Sequence, residues 1–357
     1  MKTLRRYMVR EIMLATAMVM MALLMLFAFF DFVNEIKDLG RGSYQLRHIV
    51  RQVALSLPGH VYEIFPIAAL IGTLFALSQL VASSEYTVMR TSGVSVTRIV
   101  GVILSAGVVV AALTVVFGEY VAPAADQWAQ RLRSRAITGI VAQEFRSGVW
   151  LKDDKSFINV REVTDSGQLK GVRIYDFDDG SRLRMVREAQ SAVYQGEHRW
   201  LLSGVQQTSL TPVRAEVGKM PSADWHSALE PRLLNVLMVK PEQMSATSLN
   251  SFAQHLRENR QKSLRYEIAL WSKISYPLAV LTMMVLALPF AYFQRRQSGV
   301  GGRIFAGIML GLAFYLLNQV SAHLGLLNEW PAPASALAPT VVFLCLALWM
   351  LWRQERR

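Results

Sequence analysis

IMLATAMVMMALLMLFAFFDFV, residues 12–33, is the apolar run that decides the fold class. It has 22 residues, whereas the apolar region of a signal peptide has roughly 7–15, and no small-x-small cleavage motif closes it. A helix needs roughly 20 apolar residues to cross the hydrocarbon core of a bilayer. We therefore predict a retained transmembrane helix, preceded by the basic segment MKTLRRYMVRE.

Five further apolar runs have similar length, and 52% of the 357 residues are hydrophobic, more than a soluble domain needs. The net charge is +12, but Lys and Arg flank the apolar runs, a pattern that disfavours nucleic-acid binding. The single cysteine, Cys345, lies inside a run, so no internal disulfide is possible. The six predicted spans form two triplets, at 12–33, 61–82 and 99–121 and then at 266–293, 304–326 and 335–352.

The segment between the triplets has the pattern of β structure. GVWLKDDKSFINVREV (148–163), GVRIYDFDDGSRLRMV (171–186) and SAVYQGEHRWLLSGVQQTSL (191–210) each predict a hairpin, with turns at Asp153–Asp154, Asp179–Gly180 and Gly196. SATSLNSFAQHLRENRQKSLRYE (245–267) predicts a capped amphipathic helix that leads into the fourth span. The expected fold class is a membrane α-helical protein with six transmembrane helices and an inserted all-β, jelly-roll-like domain. The expected divisions are 1–121, 122–263 and 264–357.

Basic residues of the short loops orient the chain. The loop LNEWPAPAS has none, whereas both tails and the loops on their side have several, so both termini should be cytoplasmic and the β domain external. Other basic residues break this rule, because they fall at the predicted external ends of the first and third spans. Each of them could be part of a solvated face. They are Lys37, Arg41, Arg47, Arg51, Arg131, Arg133 and Arg135.

The polar stretch SSEYTVMRTSG, residues 83–93, is longer than a tight turn between two spans requires. A Ser cap, Glu85 in the first turn and a terminal Gly93 predict a short helix. Glu85 and Arg90 are five residues apart and poorly placed to pair, while Tyr86 and Met89 share an apolar face. The segment suits a helix that docks into a groove of another protein; an interfacial helix or a plain loop is the alternative.

The sequence lacks the common catalytic motifs. The sequence has no G-x-x-x-x-G-K-[ST] phosphate loop, no H-E-x-x-H and no G-x-S-x-G, and its six histidines are scattered. We therefore expect no catalytic residue, no metal site and no cofactor in this chain.

A resemblance to a known family rests on several of these stretches together. SSEYTVMRTSGVS resembles the cytoplasmic coupling segment of the LptF/LptG lipopolysaccharide-export permeases (YjgP/YjgQ type). FPIAALIGTLFALSQL, GEYVAPAADQWA and LWSKISYPLAVLTMMVLALPFAYF extend the likeness over essentially the whole chain, and DLGRGSYQ and GVWLKDDKSFINV are closer to the LptG branch than to the LptF branch.

The resemblance implies a permease subunit of an ABC transporter in the inner membrane of Gram-negative bacteria. Such a subunit extracts lipopolysaccharide and passes it through a periplasmic jelly roll to a bridge toward the outer membrane. The implied partners are the paralogous permease LptF, the ATPase dimer LptB, which would use the ATP, the single-span protein LptC and the bridge protein LptA. The resemblance also implies which residues couple the permease to the ATPase: Glu85, Tyr86, Met89, Arg90 and Gly93.

Substrate contacts follow from the same resemblance. The lipid A phosphates would bind Lys37, Arg41 and Arg133, and the acyl chains would contact Phe27, Phe30, Phe314 and Tyr315, although ordinary helix packing also explains aromatic residues in spans. Asp31 departs from the pattern, because a basic residue is expected at its level, and it should pair with a Lys or Arg of this chain or a partner.

Two other classes of function compete with transport. A membrane-anchored scaffold would recruit periplasmic partners through the β domain and would need no transport cavity. An intramembrane lipid-modifying enzyme would need a clustered acid, base or metal set, which the sequence does not contain. The sequence leaves open the lipopolysaccharide chemotype, a homodimer or heterodimer, and the coupling of ATP hydrolysis to lipid movement.

Overall fold

The structure is a computed structural model of the full chain. It describes residues 2–40, 44–136, 149–153, 156–164, 167–178, 180, 182–196, 198–211, 214–227, 240–259, 261–293 and 300–356.

Two groups of helices flank a β sheet in the chain order. The first group is α1 (Lys2–Glu35), α2 (Leu46–Ala82), α3 (Glu85–Thr91), α4 (Val96–Val116) and α5 (Ala122–Ala136). The second group is α6 (Ala246–Glu258), α7 (Leu264–Phe293), α8 (Val300–Leu327) and α9 (Ala332–Glu355). Six stretches of these helices are long and apolar enough to cross a membrane, which confirms the predicted membrane α-helical class.

The spans differ in how much of their surface the chain itself covers. The most apolar window of α2 is 83% buried and that of α7 is 67% buried, whereas the values are 22% for α1 and 17% for α8. Close packing holds α1 on α2, because a Cβ at Gly72 would overlap the backbone of Thr16. The first triplet therefore has α2 at its centre, and α1 and α8 lie at the periphery with large apolar faces uncovered.

The third span continues past its predicted end at residue 121. A π-helical turn, Phe117–Val121, joins α4 to α5, and Pro123 is the second residue of α5. A proline inside a helix lacks an N–H donor and crowds the carbonyl four residues before it. The wider π turn accommodates Pro123, so the helix runs on into the region in which the sequence predicted only β structure and connecting helices.

The inserted β domain is one antiparallel sheet of six strands in sequential order. The strands are β1 (Val149–Asp153), β2 (Ser156–Val163), β3 (Leu169–Phe177), β4 (Leu183–Gly196), β5 (Arg199–Leu210) and β6 (Ala215–His226).

The three predicted hairpins of this sheet are confirmed, and Gly196 adopts the left-handed φ of +95° that its tight turn requires. Asp154 and Asp179 lie outside the described residues. The order of the described strands is that of a meander, so they do not include the Greek-key crossover of a jelly roll. Alternate residues form a packed core on one face, including Ile158, Ile174 and Trp200.

Helix α6 confirms the predicted amphipathic helix before the fourth span. The Ser245 side chain accepts a hydrogen bond from the backbone N–H of Ser248, which caps the helix. Leu249, Phe252 and Leu256 form its buried face. The helix ends at Glu258, and a short break separates it from α7.

Candidate functional site

Arg133 of α5 binds two carboxylates at the C-terminal end of α1, and we name this end of the bundle, where Glu35 and Asp38 lie, the outer end. Its Nη2 lies 2.6 Å from Oδ2 of Asp38, and its Nη1 lies 3.3 Å from Oε1 of Glu35. The buried Tyr44 hydroxyl donates to Oε2 of Glu35 at 2.9 Å, and burial, followed by this hydrogen bond, raises the pKa of Tyr44. The sequence predicted a cation free for phosphate, but Arg133 is half-exposed and already paired within the chain.

Lys37 lies next to this pair in the sequence and remains exposed. Its Nζ donates to the Asn34 side chain at 3.1 Å. Arg41 lies outside the described residues. The structure therefore brings Lys37 and Arg133 to the same outer end of the bundle, with acidic residues beside Arg133 that the sequence analysis did not include.

Asp31 pairs with a histidine, not with the Lys or Arg that the sequence predicted. Its Oδ2 lies 2.7 Å from Nε2 of His60, and the Phe27 ring stacks on the imidazole with ring centroids 4.9 Å apart. The other imidazole nitrogen, Nδ1, lies 3.9 Å from Oε2 of Glu63. Phe27 therefore packs against the Asp31–His60 pair, and this contact occupies one face of its ring.

These groups line an outer cavity of about 350 Å³ between α1, α2, α5, α7 and the turn Pro241–Gln243. Both signs of charge face it, with an excess of carboxylates. The charged and titratable lining residues are Asp31, Glu35, His60, Glu63, Asp126, Lys240, Glu242 and Lys273.

Lys273 closes the cavity on the side of the π-helical turn. Its Nζ donates to the Gly118 carbonyl at 2.8 Å and lies 4.5 Å from the centre of the Tyr62 ring. A π turn leaves backbone carbonyls outside the regular α-helical pattern, and one of them here accepts a charge-assisted hydrogen bond. Glu119, in the same turn, accepts from the backbone N–H of Ala246 at 2.7 Å and so joins the third span to the start of α6.

The predicted acyl-chain contacts divide into two kinds. Phe30 and Tyr315 are exposed on the uncovered faces of α1 and α8. Phe314 is 4% exposed and packs edge-to-face on Phe343, so its ring points into the bundle core and offers no surface to a lipid in this structure. In a helix, neighbouring residues point about 100° apart, which separates Phe314 from Tyr315.

At the opposite end of the bundle, residues 83–93 fold as predicted into the short helix α3. Gly93 has a φ of +87°, and the Ser83 hydroxyl donates to Glu85 at 3.0 Å. Ser84 lies at the N-cap position but makes no side-chain cap. The exposed Arg90 donates to the Val94 carbonyl at 2.9 Å and so braces the turn after the helix.

The apolar face of α3 packs against the helix bundle, whereas the sequence predicted that it docks into another protein. Tyr86 and Met89 are 2% and 8% exposed and belong to the core of the helix bundle. They therefore cannot fill a groove of a partner in this conformation, because the chain already covers them. Val88, 62% exposed, with Glu85 and Arg90 forms the accessible side of α3.

Four ionisable residues in and around the cavity were not predicted as functional. Glu119 and Lys273 lie inside predicted spans, whereas His60 directly precedes the second predicted span and Asp126 follows the third. All four lie in the candidate membrane-spanning helices of the structure, and ionisable groups in such helices usually face the bundle interior or a cavity. Their convergence depends on tertiary packing, which the sequence alone does not show.

Comparison with known proteins agrees with this architecture. Residues 6–353 match the family described as the lipopolysaccharide export system permease LptF/LptG. The lipopolysaccharide export system permease protein LptG of Escherichia coli (strain K12) is 33% identical over 354 residues, covering 99% of this chain and 98% of that protein. LptG of Haemophilus influenzae is 31% identical over 354 residues, covering 99% of each chain. The chain belongs to the LptF/LptG family of lipopolysaccharide export permeases.

Proposed function

We propose that this chain is one half of the membrane domain of an ABC exporter that extracts lipopolysaccharide and passes it to a periplasmic bridge. The family and the six apolar helices make the chain a multi-pass inner-membrane protein with a transport role. In the proposed orientation both termini are cytoplasmic and the β domain is periplasmic, as the basic residues of the short loops favour.

The observation that carries the proposal is the uncovered apolar surface of α1 and α8. Only 22% and 17% of their most apolar windows are buried by the chain itself. Two related chains, this one and the paralogue LptF, would enclose a cavity between such faces. Phe30 and Tyr315 are exposed on these faces and would contact acyl chains, while Phe27 would act on the substrate only through the Asp31–His60 pair.

The headgroup would be held at the outer end of this cavity by Lys37, Arg41 and Arg133. Asp38 and Glu35 already bind Arg133, so a lipid phosphate has to displace a carboxylate. Phosphate and carboxylate are both bidentate partners of guanidinium, which makes such an exchange a small change in geometry. The competing carboxylates would weaken binding and so favour release of the lipid.

Energy would come from the ATPase dimer LptB, docked on the cytoplasmic side at α3, and this chain would bind no cofactor of its own. The docking surface would be formed by Glu85, Val88 and Arg90, which are accessible. Tyr86 and Met89 would serve to anchor α3 to the spans, and Gly93 would allow the sharp turn into α4. LptC and LptA would receive the lipid beyond the β domain.

Reconstitution tests the proposal against the scaffold alternative. The chain, LptF, LptB and LptC are placed in proteoliposomes with lipopolysaccharide, and ATP-dependent transfer of the lipid to soluble LptA is measured. We expect transfer that requires this chain and ATP. An assembly that binds LptA and hydrolyses ATP but never moves lipid would overturn the transport function and favour a scaffold.

A further inference from the structure

The outer cavity contains a buried carboxylate that has no hydrogen-bond donor among the described residues. Asp126 is 8% exposed and lines the cavity, yet no donor among the described residues is within hydrogen-bonding distance of its carboxylate. Burial of an ionised group without a partner is costly. The side chain is therefore poised for a cationic hydrogen-bond donor that enters the cavity.

Cations already in the cavity have other partners. Lys273 donates to the Gly118 carbonyl and lies over the Tyr62 ring, and His60 is bound to Asp31. Both act on Asp126 only through their charge at longer range, and the nearby Glu63 opposes them with a negative charge. The Glu63 side chain is 52% exposed, so two carboxylates, one deep and one near the opening, are available to the same ligand.

In contrast to these buried groups, an exposed cation lies at the opening of the cavity. Lys240 lines the cavity and is exposed, so its ammonium can reach an anion outside. Gly59 lines the cavity beside Asp126, because a Cβ there would be in van der Waals contact with Oδ1 of Asp126, at 3.4 Å. The cavity thus combines one deep carboxylate, one carboxylate and one lysine near the opening, and room for a small group.

We propose that the outer cavity binds a phosphoethanolamine headgroup, with its ammonium at Asp126 and Glu63 and its phosphate at Lys240. An ammonium that carries N–H donors can bind both carboxylates by charge-assisted hydrogen bonds, whereas a trimethylammonium group cannot. The headgroup can belong to phosphatidylethanolamine of the bilayer or to lipopolysaccharide decorated with phosphoethanolamine. Binding of phosphatidylethanolamine is independent of lipid export, whereas binding of decorated lipopolysaccharide rests on the proposed function. Both can be measured without ATP.

Lipid retention in native mass spectrometry tests the proposal. The full-length chain is released from nanodiscs of equimolar phosphatidylethanolamine, phosphatidylcholine and phosphatidylglycerol, and bound lipids are quantified. We expect preferential retention of phosphatidylethanolamine. Asp126→Asn and Glu63→Gln should each reduce it about tenfold, the loss expected for one charge-assisted hydrogen bond. Glu258→Gln, an exposed carboxylate of α6, is the matched control and should change nothing.

A cavity-filling variant protects the test against misfolding. Gly59→Leu keeps every charge and replaces a glycine inside a helix, so it should preserve folding while it blocks the headgroup. It should abolish the preference for phosphatidylethanolamine.

A second set of phosphatidylcholine nanodiscs contains lipopolysaccharide with or without phosphoethanolamine. Retention of the decorated form alone, with no preference for phosphatidylethanolamine, would identify the substrate as the source of the headgroup. Equal retention of all lipids in both sets, or a preference that survives Asp126→Asn and Gly59→Leu, would overturn the proposal. A lysine of a protein partner in the cavity would give that same result.

Discussion

Met89 and Val88 are adjacent residues of α3 in opposite environments. Substitutions at the two positions can therefore distinguish anchoring of α3 to the spans from docking of the ATPase on α3. Met89 is 8% exposed within the core of the helix bundle, and Val88 is 62% exposed. Truncation of a buried methionine to alanine costs about 2–5 kcal/mol, and the low end, about 2–3 kcal/mol, applies to Met89 because it lies at the end of the bundle. Val88→Ala should change stability by less than about 0.5 kcal/mol.

The two variants should therefore fail in different assays. Met89→Ala should lower the melting temperature of the isolated chain in detergent, whether or not the ATPase is present. Val88→Asp should leave that melting temperature unchanged but weaken association with LptB, because it places a charge in the proposed docking surface. Both properties are measured on the same preparations, by thermal unfolding and by pull-down of the ATPase.

The opposite pattern would refute this reasoning. If Met89→Ala left the isolated chain as stable as the wild type and abolished ATPase binding, Met89 would be an interface residue as the sequence predicted. Val88→Ala is the control for loss of side-chain volume on the exposed side, and it should be silent in both assays.

Three further predictions concern the outer end and the centre of the bundle. Asp38→Asn should increase lipopolysaccharide retention up to about fivefold, because it frees half-exposed Arg133 from an ion pair worth about 1 kcal/mol. Arg133→Gln should reduce retention, and both effects are measured by quantifying co-purified lipid. Gly72→Val should prevent close packing on Thr16 and reduce the yield of folded chain, measured by size-exclusion chromatography, whereas a substitution at the unobstructed Gly101 should not. The raised pKa of Tyr44 keeps its phenol protonated in the folded chain when the unfolded chain ionises, so stability should fall as pH rises above about 10, and Tyr44→Phe should flatten this dependence in thermal unfolding.

The sequence predicts the elements because their signals are local. Runs of apolar residues of sufficient length define the six spans, and turn residues such as Gly196 define the hairpins. The continuation of the third span was not predicted, because a proline such as Pro123 usually ends a helix. In the structure the wide π-helical turn before Pro123 accommodates the proline, and the helix continues. Local patterns thus give the type of each element more reliably than its end.

The sites were harder to predict because their chemistry depends on partners distant in sequence. The spacing of Tyr86 and Met89 correctly gave a shared apolar face, but only the fold shows that the bundle covers it. Arg133 was predicted as a binding residue from its own segment alone, whereas its pairing with Asp38, 95 residues earlier, needed the three-dimensional arrangement. Periodicity identifies a face, and burial decides what that face contacts.

The unequal burial of the spans also indicates which helices can move at least cost. In the centre, Lys273 is bound to the Gly118 carbonyl, so separating α7 from the π-helical turn would leave a charge unsatisfied in the membrane. Separation of α8 from α2 breaks mainly apolar packing, such as the contact of Gly311 with Ile67, and lipid can replace packing of that kind. Displacement of α8 therefore costs less than displacement of α7, and a lateral opening that admits a lipid should form beside the peripheral helix while the polar centre stays closed.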